Sequence, residues 1–585
     1  MCDGKGLASL YDKDPGVVVP FSKKGYHKYY MKRILAVVFL VFLTSSPALA
    51  AKGTASSFLY FLEGYRSSQA GRYDEALQSY KSALTLDPGS AQIRNEMALL
   101  YVKKGELGNA ETLLAESVRR EPKNRHSLML LAGIHASKNE FDKARQIYEQ
   151  CIAMDREDTD AYLLLGSIDI AQKKYREAAA AYEKVLSYDG ENLMALYYTA
   201  RLYGELKDFE KARSWYEKLL AIKPDFELAL LDMGTLSEIE GRLDAAVGYY
   251  KKAVQVNPAG KKARARIAAI YVQTRDYDRA ISEFEKLSDL DREDLSIREN
   301  IGLLLLEKGR YDEAIREFSL ILASRPRDDK ARLYLAIALQ EKGDLKKAIE
   351  ELLRVDQKGE EFQAASRNLL ILYVKAGAVD EGVQQIGKLI ETNDKNVSLY
   401  LLLGGLLEEK LDYGRGITTL EKAKNLEPKN VDLLYQLGML YEKNGDNDSA
   451  LKNMEEIVKV EPDNPGALNF IGYSFAEKGI NLERAEALVK KALQKRPDDG
   501  YIRDSLGWVF YSKGEYTKAL DEIQKAKELV SDDPVIAEHL SDVYAKLGQR
   551  DKAIDLLHQS IDLEKKNDRK KVLEEKLRGL EQKGK

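Results

Sequence analysis

Small and apolar residues recur along the chain with the spacing of paired amphipathic helices. The clearest unit covers residues 295–328. Gly309 interrupts its first helical period, and Pro326 ends the second because proline cannot continue a helix. The positions that carry the two periods are Ile301, Gly302, Leu305, Ala314, Phe318 and Ile321. The pattern predicts a helix, a tight turn and a second helix, with small residues where the two helices approach.

This unit repeats every 34 residues. Alanine stands at the position of Ala314 at Ala76, Ala110, Ala144, Ala178, Ala212, Ala246, Ala280, Ala348 and Ala450. One extra residue enters near Ile480 and Asn481, after which Ala485 resumes the register. We expect about fifteen repeats over residues 57–565. Leucines at helical spacing in residues 566–585 predict a helix that caps the last repeat.

A helix pair of this length, with small residues at the Gly302 and Ala314 positions, resembles the tetratricopeptide (TPR) signature. The resemblance implies an all-α fold. Such a repeat cannot bury its apolar face alone, so neighbouring repeats stack into a right-handed superhelical solenoid. In residues 363–428, Gly382 and Gly416 replace the expected alanine, which predicts a possible hinge; ordinary drift between repeats is the alternative.

The N-terminal residues have a different pattern. Residues 1–30 fit no repeat and are interpreted as a disordered or mis-annotated extension. Residues 31–50 have a basic start, an apolar run over 34–43 and small residues before Ala50, which predicts a secretory signal peptide. A permanent membrane anchor is the alternative, but a spanning helix needs about 20 apolar residues. Residues 51–56 are expected to be a short linker.

Charge and cysteine content narrow the class of protein. Removing residues 1–50 takes away seven Lys/Arg and three Asp/Glu, so the net charge falls from −4 to −8. An acidic chain with interspersed charges argues against nucleic acid as a partner. Cys151 occupies a small apolar position, which predicts a buried thiol. No cysteine follows the apolar run, where bacterial lipoproteins carry their lipid, so we expect a periplasmic protein with only indirect membrane association.

Catalytic and cofactor-binding patterns are weak. None of the five histidines has a second His or Cys at metal-ligand spacing on the same helical face. Glycines recur at packing and turn positions and form no phosphate-binding loop. The sequence therefore predicts no enzyme activity, no cofactor and no metal.

The candidate site is the groove that the first helices line in the TPR family. The groove positions become aromatic and polar near the C-terminus, at Tyr435, Met439, Asn469, Tyr473, Tyr501, Asp504, Trp508 and Tyr511. Tyrosine and tryptophan are enriched in binding hot spots, and such a wall suits an extended or helical peptide. The alternative is that these rings fill junctions between repeats. A second patch, Tyr197 with Arg201, and the basic positions Lys262, Lys330 and Arg367 could hold acidic groups.

Three C-terminal segments carry a narrower resemblance, residues 469–476, 504–511 and 537–544. They are similar to bacterial envelope TPR proteins, including lipoprotein adaptors of a periplasmic carboxyl-terminal processing protease. The chain departs from those adaptors because it lacks the lipidation cysteine. We expect a non-enzymatic exported scaffold that binds protein segments. The alternatives are a protease adaptor and a component of polysaccharide or outer-membrane biogenesis machinery.

Overall fold

The computed structural model describes residues 50–582, with side chains from residue 56. The proposed extension and almost all of the signal peptide lie outside these residues and stay predictions. Internal contacts divide the chain into two units, one ending at Glu283 and one beginning at Phe284. Each unit is built from helix pairs, and the described residues contain 31 helices and no strand. The all-α repeat fold is therefore confirmed.

The first unit contains α1 to α13 and the beginning of α14. Their bounds are α1 Ala50–Gln69, α2 Tyr73–Leu86, α3 Ala91–Lys103, α4 Leu107–Arg120, α5 Arg125–Ser137, α6 Phe141–Met154, α7 Thr159–Ala171, α8 Tyr175–Tyr188, α9 Leu193–Glu205, α10 Phe209–Ile222, α11 Glu227–Ile239, α12 Leu243–Val256, α13 Lys261–Gln273 and α14 Tyr277–Leu290. Odd-numbered helices are the first members of their pairs and even-numbered helices are the second.

The second unit contains the rest of α14 and the helices that follow. Their bounds are α15 Leu295–Glu307, α16 Tyr311–Ser324, α17 Asp329–Lys342, α18 Leu345–Leu352, α19 Phe362–Lys375, α20 Val379–Thr392, α21 Val397–Glu409, α22 Tyr413–Lys424, α23 Val431–Lys443, α24 Asn447–Val460, α25 Pro465–Lys478, α26 Leu482–Lys495, α27 Gly500–Ser512, α28 Tyr516–Leu529, α29 Pro534–Lys546, α30 Arg550–Leu563 and α31 Asn567–Gln582. Fifteen pairs and one final helix match the predicted count.

Each pair is held by a small residue facing a large one. Phe318 is fully buried, and a Cβ placed on Gly302 would lie 2.7 Å from its ring. The missing side chain at Gly302 is what lets the ring of Phe318 fit between α15 and α16. Because interiors are packed at crystal-like density, any larger residue at Gly302 would have to move that ring.

Local backbone chemistry sets the helix ends. Gly309 has φ +71°, the left-handed conformation that glycine adopts without a steric penalty. The Arg310 amide then donates to the Leu305 carbonyl at 2.8 Å and closes α15. At the next helix start, the Asp328 carboxylate accepts from the Ala331 amide at 3.0 Å, which caps α17.

A recurring ion pair links the two helices of several repeats. An arginine near the start of the first helix pairs with a glutamate 19 residues later, on the second helix. The N–O distances are 3.3 Å for Arg264–Glu283, 2.9 Å for Arg298–Glu317, 2.7 Å for Arg332–Glu351 and 3.1 Å for Arg503–Glu522. The 34-residue pattern did not reveal this pairing, because it concerns charged positions that vary between repeats.

The expected linker of residues 51–56 is helical instead, because α1 begins at Ala50 and no proline interrupts this stretch. Gly382 and Gly416 also do more than weaken their helices. A Cβ on Gly382 would lie 2.9 Å from the Tyr373 ring, and one on Gly416 would lie 3.0 Å from Leu440. Both glycines make room for a larger neighbour, while the hinge stays a prediction.

The end of the array and the inserted residue lie where the sequence places them. Leu573 and Leu577 of α31 are buried against Leu557 and Ile561 of α30. Asn481 takes the extra position before α26 in the left-handed region, with φ +50°. Both features keep the last repeats regular.

Cys151 is buried, as predicted. Burial raises the pKa of its thiol to about 11. The thiolate is therefore scarce at neutral pH, in keeping with a packing role.

Candidate functional site

The aromatic residues predicted for the groove form a stack rather than an open wall. The Trp508 ring lies 4.5 Å from the Tyr511 ring at 6° and 4.0 Å from the His539 ring at 17°. Two nearly parallel rings at these distances occupy opposite faces of the indole. Trp508 and Tyr511 also pack against the core of the last repeats. Both rings therefore have a packing role between repeats, which is the alternative stated above, and their part in binding stays a prediction.

A buried acid anchors the stack. Asp504 is 6% exposed, and its Oδ2 lies 2.8 Å from Nδ1 of His539, which donates the hydrogen bond. Asp504 and Trp508 are four residues apart, so they share a face of α27. The bond from α29 therefore orients the imidazole against the indole. Asp504 is a buried part of this assembly and not an exposed groove residue.

Some buried polar atoms of the residues in and beside the Trp508 stack make no hydrogen bond within the described protein. Several buried polar atoms of the described side chains make no hydrogen bond within the protein. Three belong to predicted site residues, namely Asn469 Oδ1, Asp504 Oδ1 and Trp508 Nε1. Such atoms are normally bonded to protein or to ordered water, so these three have hydrogen-bonding capacity that water or a ligand can use. We call Asn469, Tyr473, Asp504, Trp508, Tyr511 and His539 the C-terminal site.

The remaining predicted residues divide into exposed rings and packed ones. Tyr435 is 39% exposed and Tyr501 is 57% exposed. A Cβ on Gly466 would lie 3.1 Å from the Tyr435 ring, so the absence of a side chain there makes room for that ring. Met439 is partly buried against the core. Tyr435 and Tyr501 are thus the predicted rings that a partner could contact directly.

Carboxylates surround the C-terminal site. Burial raises the pKa of Tyr473, and the nearby carboxylates of Glu477, Asp504 and Glu538 raise it further. Burial likewise raises the pKa of Asp542, against the opposing effect of Lys576.

Two of these acids have cationic partners in the final helix. Lys576 of α31 lies 2.9 Å from Glu538 and 2.6 Å from Asp542, and Arg569 also pairs with Glu538. The capping helix therefore neutralises one side of the site.

Sequence reasoning missed His539, Glu538 and Asp542. His539 follows Asp504 by 35 residues and so lies one repeat further along. The 34-residue pattern does not indicate which polar side chains of neighbouring repeats contact each other.

Comparison with known families identifies the repeat. Models described as tetratricopeptide repeat match residues 68–134, 163–225, 239–298, 305–370, 435–499 and 481–534, together more than half of the chain. The chain belongs to the tetratricopeptide repeat family. A model described as anaphase-promoting complex, cyclosome, subunit 3, also matches residues 103–185. The search of curated proteins found no match.

Solved structures share the repeat. The C-terminal part of a TPR repeat-containing protein from Cytophaga hutchinsonii is 20% identical, covering 41% of this chain and 99% of that one, with a TM-score of 0.37. PilF of Pseudomonas aeruginosa is 18% identical over 37% of this chain and 97% of its own, with a TM-score of 0.32. A Naa15/Naa10 structure bound to HypK-THB is 14% identical over 90% and 96%, with a TM-score of 0.32. Similarity at this level says nothing about a partner.

The second predicted patch of this TPR protein is closed. Tyr197 is buried among the rings of Tyr198, Tyr216 and Phe226. The Tyr216 hydroxyl donates to Asp232 at 3.0 Å. The patch thus contains its own acid, and Tyr197 is not available to a ligand.

The structure also shows the surroundings of the predicted basic residues and whether any described helix could span a membrane. Lys330 is already paired with Glu299 at 2.6 Å, and Arg201 lies 5.9 Å from the centre of the Tyr197 ring. Lys262 belongs to the first unit and Arg367 to the second. No helix among the described residues is long and apolar enough to cross a bilayer.

Within the part of the chain that the structure describes, one cluster of acids with a histidine has metal-ligand geometry, Glu111, His135 and Glu140. His135 is buried, with Nδ1 2.8 Å from Glu140. Lys138 lies 2.7 Å from Glu111 and 3.1 Å from Glu140, so an ammonium already supplies the positive charge. The cluster is a polar junction between α5 and the start of the helix that follows it.

Proposed function

We propose that this TPR protein is an exported scaffold whose C-terminal site binds a segment of a partner protein. TPR arrays are protein-interaction scaffolds, and the fold is typically non-catalytic. The observation that carries the proposal is the group of three unpartnered polar atoms on Asn469, Asp504 and Trp508. A buried polar atom without a hydrogen bond is costly, so a ligand that supplies the bonds is stabilised there.

Exposed aromatic rings provide the accompanying contact area. Tyr435 is exposed on α23, and Tyr501 is exposed on α27, the helix that also carries Asp504 and Trp508. Tyrosine is a favoured anchor in protein interfaces because it combines apolar area with a polar tip. A partner segment is therefore proposed to contact these rings while its polar groups satisfy the buried atoms.

Affinity capture from the cell envelope tests the binding role. The parent chain, with a C-terminal tag, is compared with the Tyr435→Ala/Tyr501→Ala variant. The matched control is Tyr60→Ala/Tyr188→Ala, two similarly exposed tyrosines of the first unit. We expect the parent and the control to recover the same partner and the test variant to lose it. Equal recovery by all three would contradict the proposal.

The identity of the captured protein separates the more specific functions. A periplasmic processing protease would favour the adaptor function, and a transport complex would favour a role in polysaccharide or outer-membrane biogenesis. Reciprocal capture with the identified partner as bait would be the second step.

Export is proposed from the pattern of residues 31–50. The test is a fusion of residues 31–60 to a reporter enzyme that is active only outside the cytoplasm. A matched fusion that lacks residues 34–43 serves as the control. Activity in the first fusion alone is expected, and N-terminal sequencing should then begin at Ala51. Equal activity of the two fusions would contradict export by this segment.

A further inference from the structure

The unpartnered atoms of the C-terminal site specify what a ligand must offer. Asn469 Oδ1 and Asp504 Oδ1 accept hydrogen bonds, whereas only Trp508 Nε1 donates one. A ligand that fits must therefore donate at least two hydrogen bonds. Asp504 Oδ1 belongs to a carboxylate, and bonds to an ionised acceptor are strongest when the donor is also charged.

The charged residues around the C-terminal site favour a ligand of positive charge. Arg569 and Lys576 neutralise the Glu538 side of the site. Glu442 and Glu477 form no ion pair with any described residue. Burial raises the pKa of Glu442, and repulsion from Glu477 adds to this effect. A water molecule could satisfy hydrogen bonds here, but it would leave the excess negative potential in place.

Aromatic geometry adds a further preference. Both faces of Trp508 are covered, so its N–H edge is the part left for a ligand. Tyr473 makes only a tilted contact with His539, at 6.2 Å between ring centres. Its ring is therefore the one within the site best placed to attract a cation through its π-system.

We propose that the C-terminal site recognises a side-chain cation, an arginine or a lysine, of the bound protein segment. This inference rests on the proposed function and specifies the chemistry of the partner. A cationic side chain donates to Asp504 Oδ1 and Asn469 Oδ1, lies near the Tyr473 ring and compensates the charge of Glu477. Because Asp504 Oδ1 is buried, entry requires a half-buried neighbour to move, and the surroundings of Trp508 change.

Tryptophan fluorescence offers a direct test. The chain has two tryptophans, and Trp215→Phe leaves Trp508 as the only reporter. The probes are four capped pentapeptides, acetyl-Ala-Ala-X-Ala-Ala-amide, with arginine, lysine, citrulline or glutamate at X. Citrulline keeps the shape of arginine but lacks its charge. We expect a saturable change with arginine and lysine at millimolar concentration, and binding of citrulline about tenfold weaker. A response to arginine alone would assign a guanidinium.

Variants that are expected to change the affinity for the peptide in opposite directions separate an effect on recognition from an effect on folding. Asp504→Asn should weaken binding of the arginine peptide about tenfold, and Glu477→Gln, at an exposed position, about threefold. Asn469→Asp adds an anionic acceptor and should strengthen binding, which a misfolded protein would not do. The matched control is Glu157→Gln in the first unit, which should leave the affinity unchanged.

Three results would overturn the inference. These are equal binding of the arginine and citrulline peptides, no gain from Asn469→Asp, or no saturable response to any peptide. The capture experiment distinguishes this failure from failure of the proposed function. If capture depends on Tyr435 and Tyr501 but no preference for a cation exists, the scaffold function stands. If capture does not depend on them, the proposed function itself fails.

Discussion

Asp232 in the first unit and Asp504 in the second lie on first helices of their pairs, and each contacts a residue 35 positions away. Asp232 accepts from Tyr216 and also from Tyr197, so its carboxylate is bonded from two sides. Among the described residues, Asp504 accepts from His539 alone, and no hydrogen bond reaches its Oδ1. Neighbouring side chains thus donate hydrogen bonds to Asp232 from two sides, whereas one oxygen of Asp504 can still accept a hydrogen bond.

The comparison shows that a groove position does not determine whether a residue can bind a ligand. Tyr197 and Asn469 occupy corresponding positions of their repeats, eight periods of 34 residues apart. Tyr197 is enclosed by neighbouring rings, whereas Asn469 keeps an unbonded oxygen. What differs is the set of side chains that the next repeat supplies.

The largest expected effect comes from removing the ring between the two aromatic neighbours of the C-terminal site. Trp508→Ala should lower the free energy of unfolding by about 3 kcal/mol, because it leaves a cavity between Tyr511 and His539. Chemical unfolding followed by circular dichroism measures the change. Trp508→Phe, which keeps a ring, should lose less. A loss no larger for alanine than for phenylalanine would show that the stack contributes little.

A pair of matched hydroxyl deletions tests the difference between the two acids. Tyr216→Phe removes a donor from buried Asp232 and should cost about 1–3 kcal/mol of unfolding free energy. Tyr473→Phe removes a hydroxyl with no hydrogen bond recorded to a described residue, and should cost less than about 0.5 kcal/mol. The same unfolding measurement serves for both. Equal losses of unfolding free energy in the two variants would contradict the proposed difference between the fully bonded carboxylate of Asp232 and the partly bonded one of Asp504.

The pH dependence of stability should differ in sign between two acids of the first unit. Burial raises the pKa of Asp232 above 3.8, so the folded state holds its proton more tightly than the unfolded state does. Its contribution is therefore present at low pH and lost as the pH rises through the raised pKa. Relative to the parent, Asp232→Asn should therefore gain stability as the pH rises through the raised pKa of Asp232.

Asp158 provides the opposite control. Burial opposes its ionisation, but hydrogen bonds from Arg125 and from the Ala161 amide outweigh burial and lower its pKa. Its contribution is present above the unfolded pKa and lost as the pH falls through the lowered value. Asp158→Asn should therefore lose stability relative to the parent as the pH rises through the lowered pKa of Asp158. Parallel slopes for the two variants would contradict both assignments.

The smallest effect is expected at an exposed ring. Tyr501→Ala should change the free energy of unfolding by no more than about 0.5 kcal/mol, because little of the ring is packed. Thermal denaturation of this variant beside Trp508→Ala compares an exposed aromatic residue with a packed one. A loss approaching that of Trp508→Ala would mean that Tyr501 belongs to the core and is unsuitable as a binding probe.

The repeat was predictable because a 34-residue period fixes both helices and the small residue between them. Gly302 facing Phe318 follows directly from that period. The state of the C-terminal site was not predictable, because it depends on a cross-repeat contact between Asp504 and His539. The repeat pattern predicts that Trp508 lies on the first helix of its pair, but only the structure shows that both faces of its ring are covered.

The extra residue before α26 has a consequence for how such genes change length. Asn481 is absorbed by a turn, so the side chains of α26 still face the core; Val489, for example, is fully buried. The same insertion inside α25 would rotate every later side chain of that helix by about 100°. A one-codon insertion is therefore tolerable at this turn and disruptive a few codons earlier, which makes turns the natural sites of length variation in the array.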